Sequence, residues 1–480
     1  MIGSEALPFS KTGGLADVLG ALPPAIARLG WDVTLFVPRY RGVHDGALHD
    51  TLGLTLGDYH AEVRLFEAEL GEGARAMLVD EPRVFDREFL YGQGSNDYPD
   101  NPLRFALLVR AALEWALRQP QPPTIVHAHD WQAGLAPVYL RSMYARTPAM
   151  RAVRSVFTIH NLAYQGRFDR LWMPQLGLPW DLFGPEQLEF FGSMSFLKGG
   201  VMFSDYTTTV SPQYAKEIQT PAGGIGFDGI LRSRGDRMVG ILNGIDTVQW
   251  NPATDRYLPQ PFSADDLSGK RAAKAALLAE YGLPADTQAL ARPLIGMISR
   301  MVDQKGFDLI ERLADELPLL DASFVVLGTG EARYQDLWRT LASGHPRKIA
   351  ARIGFDEGLA HLIEGGADIF LMPSLFEPCG LNQMYSLRYG TIPIVRRVGG
   401  LADTVRDCRP GRSDATGFVF DEYSELALLD TIRRALATYR GKPKVWRRLQ
   451  ANGMGQDLSW DHSAREYVKI YEDAIFRGTP

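Results

Sequence analysis

Cysteine is nearly absent from this chain of 480 residues, which contains only Cys379 and Cys408. Two cysteines exclude a framework of several disulfides and are typical of a protein kept in a reducing compartment. Long apolar runs are lacking as well, since none approaches the roughly 20 residues that a membrane-spanning helix needs. The first residues show neither a signal peptide nor an Arg-rich transit pattern. The sequence therefore predicts a cytoplasmic protein with no membrane partner.

Dense blocks of basic residues are also missing. The chain has 57 acidic and 51 basic residues, a formal charge of -6, and its basic residues are scattered. Proteins that bind nucleic acid concentrate positive charge on one surface, so we expect no nucleic-acid partner. Low-complexity tracts are absent, and 45% of the residues are hydrophobic. This composition excludes a disordered chain and predicts packed cores.

Short apolar runs rich in β-branched residues alternate with helical patterns along the chain. The runs cover residues 33–37, 125–128, 156–159, 206–210, 294–298, 324–327, 369–372 and 392–395. Such runs are typical of buried parallel strands, and their alternation with helices predicts an α/β protein wound on both faces of its sheets. Ligands of these folds bind beyond the carboxyl ends of the strands.

The length predicts two domains, because a single core stops growing at about 250–300 residues. The segment 243–261 is rich in Pro, Asp and Asn and fits a crossover between domains. We place the domains at residues 1–246 and 247–456. The remaining segment, 457–480, is predicted to form a helix that packs back on the first domain or lies on the surface.

The first motif, Lys11-Thr12-Gly13-Gly14, stands before a helical pattern that includes Asp17 and runs to Leu29. Glycines allow close approach to a ligand, and free N–H groups at a helix start favour an anion such as phosphate. Taken alone, the motif fits a tight turn equally well. Such a loop normally follows a strand of about 5–6 residues, which residues 1–5 hardly provide. We therefore expect the natural chain to begin upstream, and the shortened strand to loosen this loop.

Two polar clusters follow predicted strands of the first domain. His127, His129 and Asp130 follow one strand, and His160 and Asn161 follow the next. Because parallel strands end at one edge of their sheet, we expect these side chains to meet. The first cluster also suggests metal ligands, but its spacing matches no strong zinc pattern. Hydrogen bonding to a polar ligand is the favoured interpretation.

Two loops of the second domain combine charges that suit a nucleotide sugar. Arg300 and Lys305 lie five positions apart on a strand-to-helix loop, where they can clamp a diphosphate. Glu377 follows another strand, and from Gly380 onward a helix start offers backbone N–H groups. Cys379, between Pro and Gly, is interpreted as a lining residue more than as a nucleophile. No pair of carboxylates indicates a metal site, so we expect no metal.

Seven motifs in a fixed order carry a family resemblance. They cover residues 11–18, 127–132, 158–162, 242–246, 299–306, 376–381 and 398–405. With these motifs the chain resembles the bacterial glycogen synthases, which are related to plant starch synthases, over essentially its whole length. The resemblance implies a GT-B fold, with two Rossmann-like domains and an interdomain cleft. It also implies ADP-glucose as donor, glycogen or another α-1,4-glucan as acceptor, and retention without a metal ion or cofactor.

The resemblance also implies roles for four catalytic residues. Arg300 and Lys305 are expected to hold the diphosphate, and Glu377 is expected to bind glucose hydroxyls and to be needed for turnover. His160 is expected to present its backbone carbonyl or its ring near the reacting centre. Backbone N–H groups of residues 380–382 are expected to meet phosphate oxygens.

Further residues are implied as contacts of donor or acceptor. Lys11 is expected beside the sugar and phosphate, Asp130 and Asn161 beside a sugar, Asn243 at the donor glucose, and Tyr98 near the nucleotide base. The implied binding residues are Lys11, Gly14, Asp17, Asp130, Asn161, Asn243, Cys379, Gly380, Leu381 and Tyr98.

Two substitutions depart from related patterns, and several alternatives stay open. Tyr385 stands where neighbouring GT-B families carry a second Glu, and Asn382 stands where this family more often has Thr. A relative that uses UDP-glucose or a small acceptor is one alternative, and a non-catalytic glucan-binding protein is another. Retention by double displacement and retention by same-face attack are both open at this point.

Overall fold

The computed structural model of the chain describes residues 1–94 and 96–477. The chain divides into two compact units. The first unit contains residues 1–244 and the C-terminal segment that starts at Trp460, and the second contains Ile245–Ser459. The boundaries predicted from the sequence, at residues 246 and 456, lie two and three residues from these divisions. Among the described helices, none is both long enough and apolar enough to cross a membrane.

The first unit alternates strands and helices as follows. Its elements are α1 (Gly14–Ala27), β1 (Thr34–Pro38), β2 (Ala47–Leu56), β3 (Tyr59–Gly71), β4 (Ala74–Asp80), α2 (Pro82–Phe85), β5 (Gly92–Gln93), β6 (Asn96–Asp97), α3 (Asn101–Arg118), β7 (Ile125–His129), α4 (Asp130–Ala133), α5 (Leu135–Arg141), α6 (Pro148–Arg151), β8 (Arg154–Ile159), β9 (Arg167–Phe168), α7 (Trp172–Gln175), β10 (Glu189–Phe190), β11 (Ser193–Ser195), α8 (Phe196–Phe203), β12 (Tyr206–Thr209), α9 (Pro212–Glu217), α10 (Asp228–Ser233) and β13 (Met238–Gly240).

The second unit follows the same alternation. Its elements are α11 (Ser268–Glu280), α12 (Thr287–Ala291), β14 (Leu294–Ile298), α13 (Phe307–Arg312), β15 (Ser323–Gly328), α14 (Ala332–Gly344), β16 (Ile349–Ile353), α15 (Glu357–Gly366), β17 (Ile369–Met372), α16 (Asn382–Arg388), β18 (Ile392–Arg396), α17 (Gly399–Thr404), β19 (Phe418–Phe420), α18 (Glu425–Gly441) and α19 (Pro443–Met454). The chain ends in α20 (Trp460–Arg477), which belongs to the first unit.

The first residues of the chain lie in the middle of the first unit's sheet. Strands pair in the orders β2-β3-β4-β1 and β7-β8-β12-β13, and Ile2 bridges the two groups in parallel. The N–H of Ile2 donates to His127 O at 2.9 Å, and the N–H of Gly3 donates to Phe36 O at 3.0 Å. A Cβ on Gly3 would lie 2.1 Å from Cδ1 of Leu19, so glycine lets α1 pack closely on this segment.

Helix α20 completes the hydrophobic core of the first unit. Its buried residues Trp460, Tyr467 and Tyr471 pack with Val18 and Leu22 of α1. The hydroxyl of Ser463 also donates to the carbonyl of Leu242 at 2.5 Å. The last helix therefore contributes apolar contacts and a hydrogen bond to a unit that begins at the other end of the chain.

The sheet of the second unit is wholly parallel, with strand order β16-β15-β14-β17-β18-β19. Strands β14, β15, β17 and β18 are almost entirely buried, as their continuous apolar runs predict, whereas the edge strand β16 is partly exposed. Numbered within the unit, this order is 3-2-1-4-5-6, the order of a dinucleotide-binding sheet. Strand order reverses between β14 and β17, so the loops after these two strands form the switch point. The α/β class predicted from the sequence is confirmed.

Candidate functional site

The switch point of the second unit brings together two predicted catalytic residues. The loop after β14 carries Lys305, and the loop after β17 carries Glu377. The two loops touch directly, because the N–H of Leu375 donates to Gln304 O at 2.9 Å. A Cβ on Gly306 would lie 2.2 Å from Pro373 O, so this contact needs glycine. The left-handed φ of 79° at Gly306 favours glycine as well.

Lys305 and Glu377 form a salt bridge, with Nζ 2.5 Å from Oε2. The hydroxyl of Ser374 donates to the same carboxylate oxygen at 3.1 Å. Only 7% of the Glu377 side chain is exposed. A buried carboxylate needs such partners, because removing an unpaired charge from water costs several kcal/mol. The arrangement holds an ammonium group and a carboxylate side by side at the edge of the sheet where ligands of this fold bind.

Arg300 lies at the same edge and is exposed. Its guanidinium donates to Gln304 Oε1 at 3.4 Å, a long hydrogen bond that leaves most of its donors to solvent. The side chain of Gln304 in turn donates to the carbonyl of Phe376 at 3.5 Å. Arg300 is therefore an exposed cation next to Lys305, which the Glu377 carboxylate holds.

The loop that contains Cys379, Gly380 and Leu381 is shaped by Gln383. Its Nε2 donates to Cys379 O at 3.1 Å and to Gly380 O at 3.0 Å, while Gly380 adopts a left-handed φ of 73°. In the described part of the chain, the backbone N–H groups of residues 380–382 donate to no carbonyl oxygen. They are therefore available to an anion. Cys379 itself is buried.

Two glycines of the motif at residues 398–405, for which the sequence indicated no role, support this loop. Helix α17 begins at Gly399, where an added Cβ would lie 1.8 Å from Glu377 O, and its φ is 42°. The next N–H, of Gly400, donates to Glu377 O at 3.2 Å. A Cβ on Gly400 would lie 2.2 Å from Cys379 O. The pair Gly399-Gly400 is visible in the sequence, but only the structure shows that both glycines pack against the backbone of the Glu377 loop.

In the first unit, the structure brings His129, Asp130 and His160 together. The N–H of His160 donates to Asp130 Oδ1 at 2.7 Å, and the rings of His129 and His160 meet with Nδ1 and Nε2 3.1 Å apart. Burial raises the pKa of Asp130 to about 7 and lowers the pKa of His160 to about 3. Asp130 also adopts a left-handed φ of 57°, which is strained for a residue with a side chain. At neutral pH both histidines are therefore uncharged, and Asp130 is partly protonated.

His127 is built into the core and not into a metal site. Its Nδ1 lies 2.7 Å from the Tyr471 hydroxyl, and its Nε2 lies 2.6 Å from the Thr158 hydroxyl. Both ring nitrogens are thus occupied, which argues against the metal interpretation of this motif. Within residues 1–94 and 96–477, no group of three or more His, Cys, Asp or Glu side chains is arranged to hold a metal ion.

The loop before α1 holds Lys11, Gly14 and Asp17 near one another. Lys11 Nζ lies 2.6 Å from Asp17 Oδ1 in an exposed salt bridge, and Gly14 is the first residue of the helix. The N–H and hydroxyl of Thr12 donate to Glu5 Oε2 at 2.6 and 2.7 Å. Burial raises the pKa of Glu5 to about 7. Sequence analysis missed Glu5, because only its burial distinguishes it.

Three further predicted residues remain, of which Asn161 adjoins the cluster of the first unit, because its backbone also hydrogen-bonds the Asp130 carboxylate. Asn161 Oδ1 accepts the N–H of Ala163 at 3.0 Å. Asn243 is buried, and its Oδ1 has no partner in the described part of the chain. The ring of Tyr98 is covered by the guanidinium groups of Arg87 and Arg104, at 4.6 and 5.0 Å from its centroid.

An exposed aromatic at the edge of the second unit's sheet was also missed. Phe355 follows β16 by two residues and is 84% exposed. It lies beyond the carboxyl end of its strand, as do Arg300 and Glu377 beyond theirs. Strand β16 was not among the predicted strands, so the sequence offered no signal for this residue.

Two family models match the chain, one in each unit. The model described as "Starch synthase catalytic domain" matches residues 1–233, and the model "Glycosyl transferases group 1" matches residues 286–452. Among solved structures, the catalytic domain of starch synthase IV from Arabidopsis thaliana, bound to ADP and acarbose, superposes with a TM-score of 0.89. It is 33% identical, and the match covers 99% of each chain. A sucrose-phosphate synthase from Thermosynechococcus elongatus, with 17% identity and a TM-score of 0.61, shares the fold.

Curated relatives match over nearly the full length. The glycogen synthase of Koribacter versatilis (strain Ellin345) is 47% identical over 98% of this chain and 97% of its own. That of Anaeromyxobacter sp. (strain Fw109-5) is 50% identical over 98% of both. The GT-B fold and the family predicted from seven motifs are thereby confirmed. The chain belongs to the bacterial glycogen synthase family of hexosyltransferases.

Proposed function

We propose that this chain transfers glucose from ADP-glucose to the non-reducing end of an α-1,4-glucan such as glycogen, with retention, and releases ADP. Family membership supports hexosyl transfer as the reaction type. The observation that carries the proposal is the Lys305–Glu377 pair at the switch point of a dinucleotide-type sheet. Cations and N–H groups at this edge suit a diphosphate, and a carboxylate suits sugar hydroxyls.

The donor side of the reaction needs groups that stabilise a departing diphosphate. The bond from the anomeric carbon to the diphosphate oxygen breaks, and negative charge grows on ADP as it leaves. Arg300, Lys305 and the N–H groups of residues 380–382 are the donors proposed to stabilise that charge. The acceptor hydroxyl bonds to the same carbon and gives its proton to the departing phosphate oxygen.

Glu377 is proposed to bind the transferred glucose and not to attack it. A double displacement needs a carboxylate that is close to the anomeric carbon and acts as a nucleophile. The Oε2 atom of Glu377 accepts hydrogen bonds from Lys305 and Ser374, and these bonds reduce its nucleophilicity. This observation favours same-face attack.

The first unit is proposed to contribute neutral polar groups. His160 with its lowered pKa and Asp130 with its raised pKa present hydrogen-bonding groups with little net charge. Such groups suit sugar hydroxyls, which are neutral themselves. Lys11 is proposed to stand beside the sugar and phosphate, since α1 begins next to it without a side-chain cap.

The adenine base requires an aromatic or apolar surface. Phe355 is the exposed aromatic at the carboxyl edge of the second unit's sheet, and we assign the base contact to it. Tyr98, the residue predicted for this role, already has two guanidinium groups over its ring. Its role at the base stays a prediction. The solved relative from Arabidopsis thaliana is bound to ADP, which supports an adenine nucleotide.

A donor-competition assay tests the function. Purified protein is given ADP-glucose and glycogen without added divalent metal, and we expect ADP release and longer α-1,4 chains. UDP-glucose is supplied in a parallel reaction, and equal or faster turnover of it would overturn the donor assignment. A small acceptor such as glucose phosphate replaces glycogen in a third reaction and tests the acceptor assignment.

The non-catalytic alternative predicts glucan binding without ADP release in every reaction. The presence of Arg300, Lys305 and Glu377 favours an enzyme over a non-catalytic glucan-binding protein. The cytoplasm is the compartment we propose, because the chain has only two cysteines.

A further inference from the structure

The crossover segment, residues 243–261, packs directly on helix α16 through Trp250. The indole of Trp250 lies between the rings of His361 and Tyr385, with 3.8 Å between centroids on each side. The planes deviate by only 8° and 11°, so the three rings form one continuous stack. Tyr385 belongs to α16, the helix that directly follows the Glu377 loop. The three stacked rings, here called the aromatic clamp, therefore join this segment to the helix that follows the Glu377 loop.

A second contact fixes the same segment one helical turn further along. The buried carboxylate of Asp255 accepts hydrogen bonds from Tyr389 Oη at 2.5 Å and from His361 Nδ1 at 2.7 Å. Burial alone raises the pKa of Asp255, but these two bonds, together with the hydrogen bond from the Tyr257 N–H, outweigh it and hold the pKa below its ordinary value. Tyr385 and Tyr389 are four positions apart and share one helix face. The charged carboxylate also fixes the His361 ring on which Trp250 lies.

The N-terminal end of α16 contacts the Glu377 loop itself. Gln383 lies two residues before Tyr385 and holds the carbonyls of Cys379 and Gly380. Asn382 donates to the carbonyl of Ile298 at 2.8 Å, at the end of β14. A shift of α16 would therefore move the N–H groups that face the ligand edge.

We propose that Trp250 is a positioning residue for the donor site, acting through Tyr385 and α16 on the Glu377 loop. The proposal rests on the proposed function for the identity of the donor. The positioning role also explains Tyr385, which stands where neighbouring families carry a second Glu. Here that position supplies an aromatic face to the stack instead of a carboxylate.

The experiment compares three variants of the full chain. Trp250→Leu removes the central ring, Trp250→Phe keeps a flat ring, and Trp446→Leu removes another largely buried indole of the same unit. Trp446 stacks on Phe418 at 6.3 Å, outside the clamp. We expect Trp250→Leu to raise the KM for ADP-glucose about three- to tenfold, the range of one aromatic stack. The KM for glycogen should not change, and Trp250→Phe should restore most of the loss.

A second readout needs no donor. The chain has two cysteines, so maleimide labelling followed by mass spectrometry reports separately on buried Cys379 in the loop and on Cys408 outside it. In Trp250→Leu we expect Cys379 to label about three- to tenfold faster relative to Cys408, because the loop opens more often. Trp250→Phe should stay near the wild-type ratio. Trp446→Leu should leave the labelling rate of Cys379 itself unchanged, and this rate is the readout for the control because Cys408 packs against the core cluster that contains Trp446.

The outcomes separate the two proposals. An unchanged labelling ratio in folded Trp250→Leu, or an equal rise in the labelling rate of Cys379 in Trp446→Leu, overturns the positioning role. Wild-type protein that does not turn over ADP-glucose overturns the proposed function alone, since the labelling ratio still reports on the clamp.

Discussion

The two regions that carry the predicted site residues differ in charge. At the switch point of the second unit, Lys305 and Glu377 form a salt bridge with exposed Arg300 beside them. In the first unit, burial brings the pKa of Asp130 up to about 7 and that of His160 down to about 3. The Lys305–Glu377 site keeps its charges by pairing them, whereas burial reduces the charge of the cluster of His129, Asp130 and His160 by shifting proton equilibria.

This difference matches the chemistry proposed for each region. A diphosphate carries formal charge and is held best by fixed cations and N–H groups. Sugar hydroxyls are neutral, and a buried charge that faces them without a partner would cost desolvation free energy. Substitutions that change charge should therefore have large kinetic effects in the second unit and pH-dependent effects in the first.

The largest expected effect is on turnover in Glu377→Ala. Removal of the carboxylate leaves Lys305 unpaired and deletes the proposed contact with glucose, so kcat should fall by about a thousandfold. Release of ADP from ADP-glucose in the presence of glycogen measures it. Glu377→Gln keeps the shape without the charge and separates the two causes. A near-normal kcat in Glu377→Ala would remove Glu377 from the catalytic machinery.

The second effect concerns the free energy of unfolding of Asp130→Asn. The pKa of Asp130 is raised in the folded state, so its contribution to stability is complete below about pH 4 and is lost as pH rises to about 7. Three pKa units correspond to an upper limit of roughly 4 kcal/mol. The neutral amide of Asn keeps an acceptor for the His160 N–H and does not titrate.

Urea unfolding of both proteins at about pH 5 and about pH 8 measures the difference. Wild-type protein should lose stability relative to Asp130→Asn between these two conditions. A constant difference would show that Asp130 is ionised throughout, and the comparison of a neutral with a charged region would fail.

The smallest effect is expected from Asn382→Thr, which introduces the residue more usual in the family. The bond from Asn382 Nδ2 to Ile298 O would be lost, and one such bond contributes about 1 kcal/mol. The kcat/KM for ADP-glucose should change by less than about tenfold, as steady-state assays can show. A loss as large as that of Glu377→Ala would mean that Asn382 has a direct role in the reaction.

Local patterns were sufficient to predict eight strands and the loops that follow them, but they missed β2, β3, β4 and β16. The runs at residues 294–298 and 369–372 correspond to β14 and β17, and the charged residues after them meet because parallel strands end at one edge. The confirmed parts of the prediction are those fixed by short-range periodicity and by motif order. The roles of individual site residues stay predictions.

Contacts between distant positions could not be predicted from one sequence. His127 was interpreted as a site residue, but Tyr471, 344 positions away, occupies one of its nitrogens. Glu5 has no distinctive neighbours in sequence, and only burial raises its pKa. Trp250 lies in a segment with little periodicity, where nothing indicates that two rings from α15 and α16 enclose it.

The place of helix α20 in the first unit has a consequence for synthesis on the ribosome. The second unit is continuous in sequence, so its residues are all available once position 459 has been made and has left the exit tunnel. The first unit must wait for α20, which arrives about 10 to 40 s after residue 244 at typical elongation rates. During that interval the apolar face of α1 lacks Trp460, Tyr467 and Tyr471. The nascent N-terminal half is therefore the part of the chain most exposed to chaperones and to aggregation.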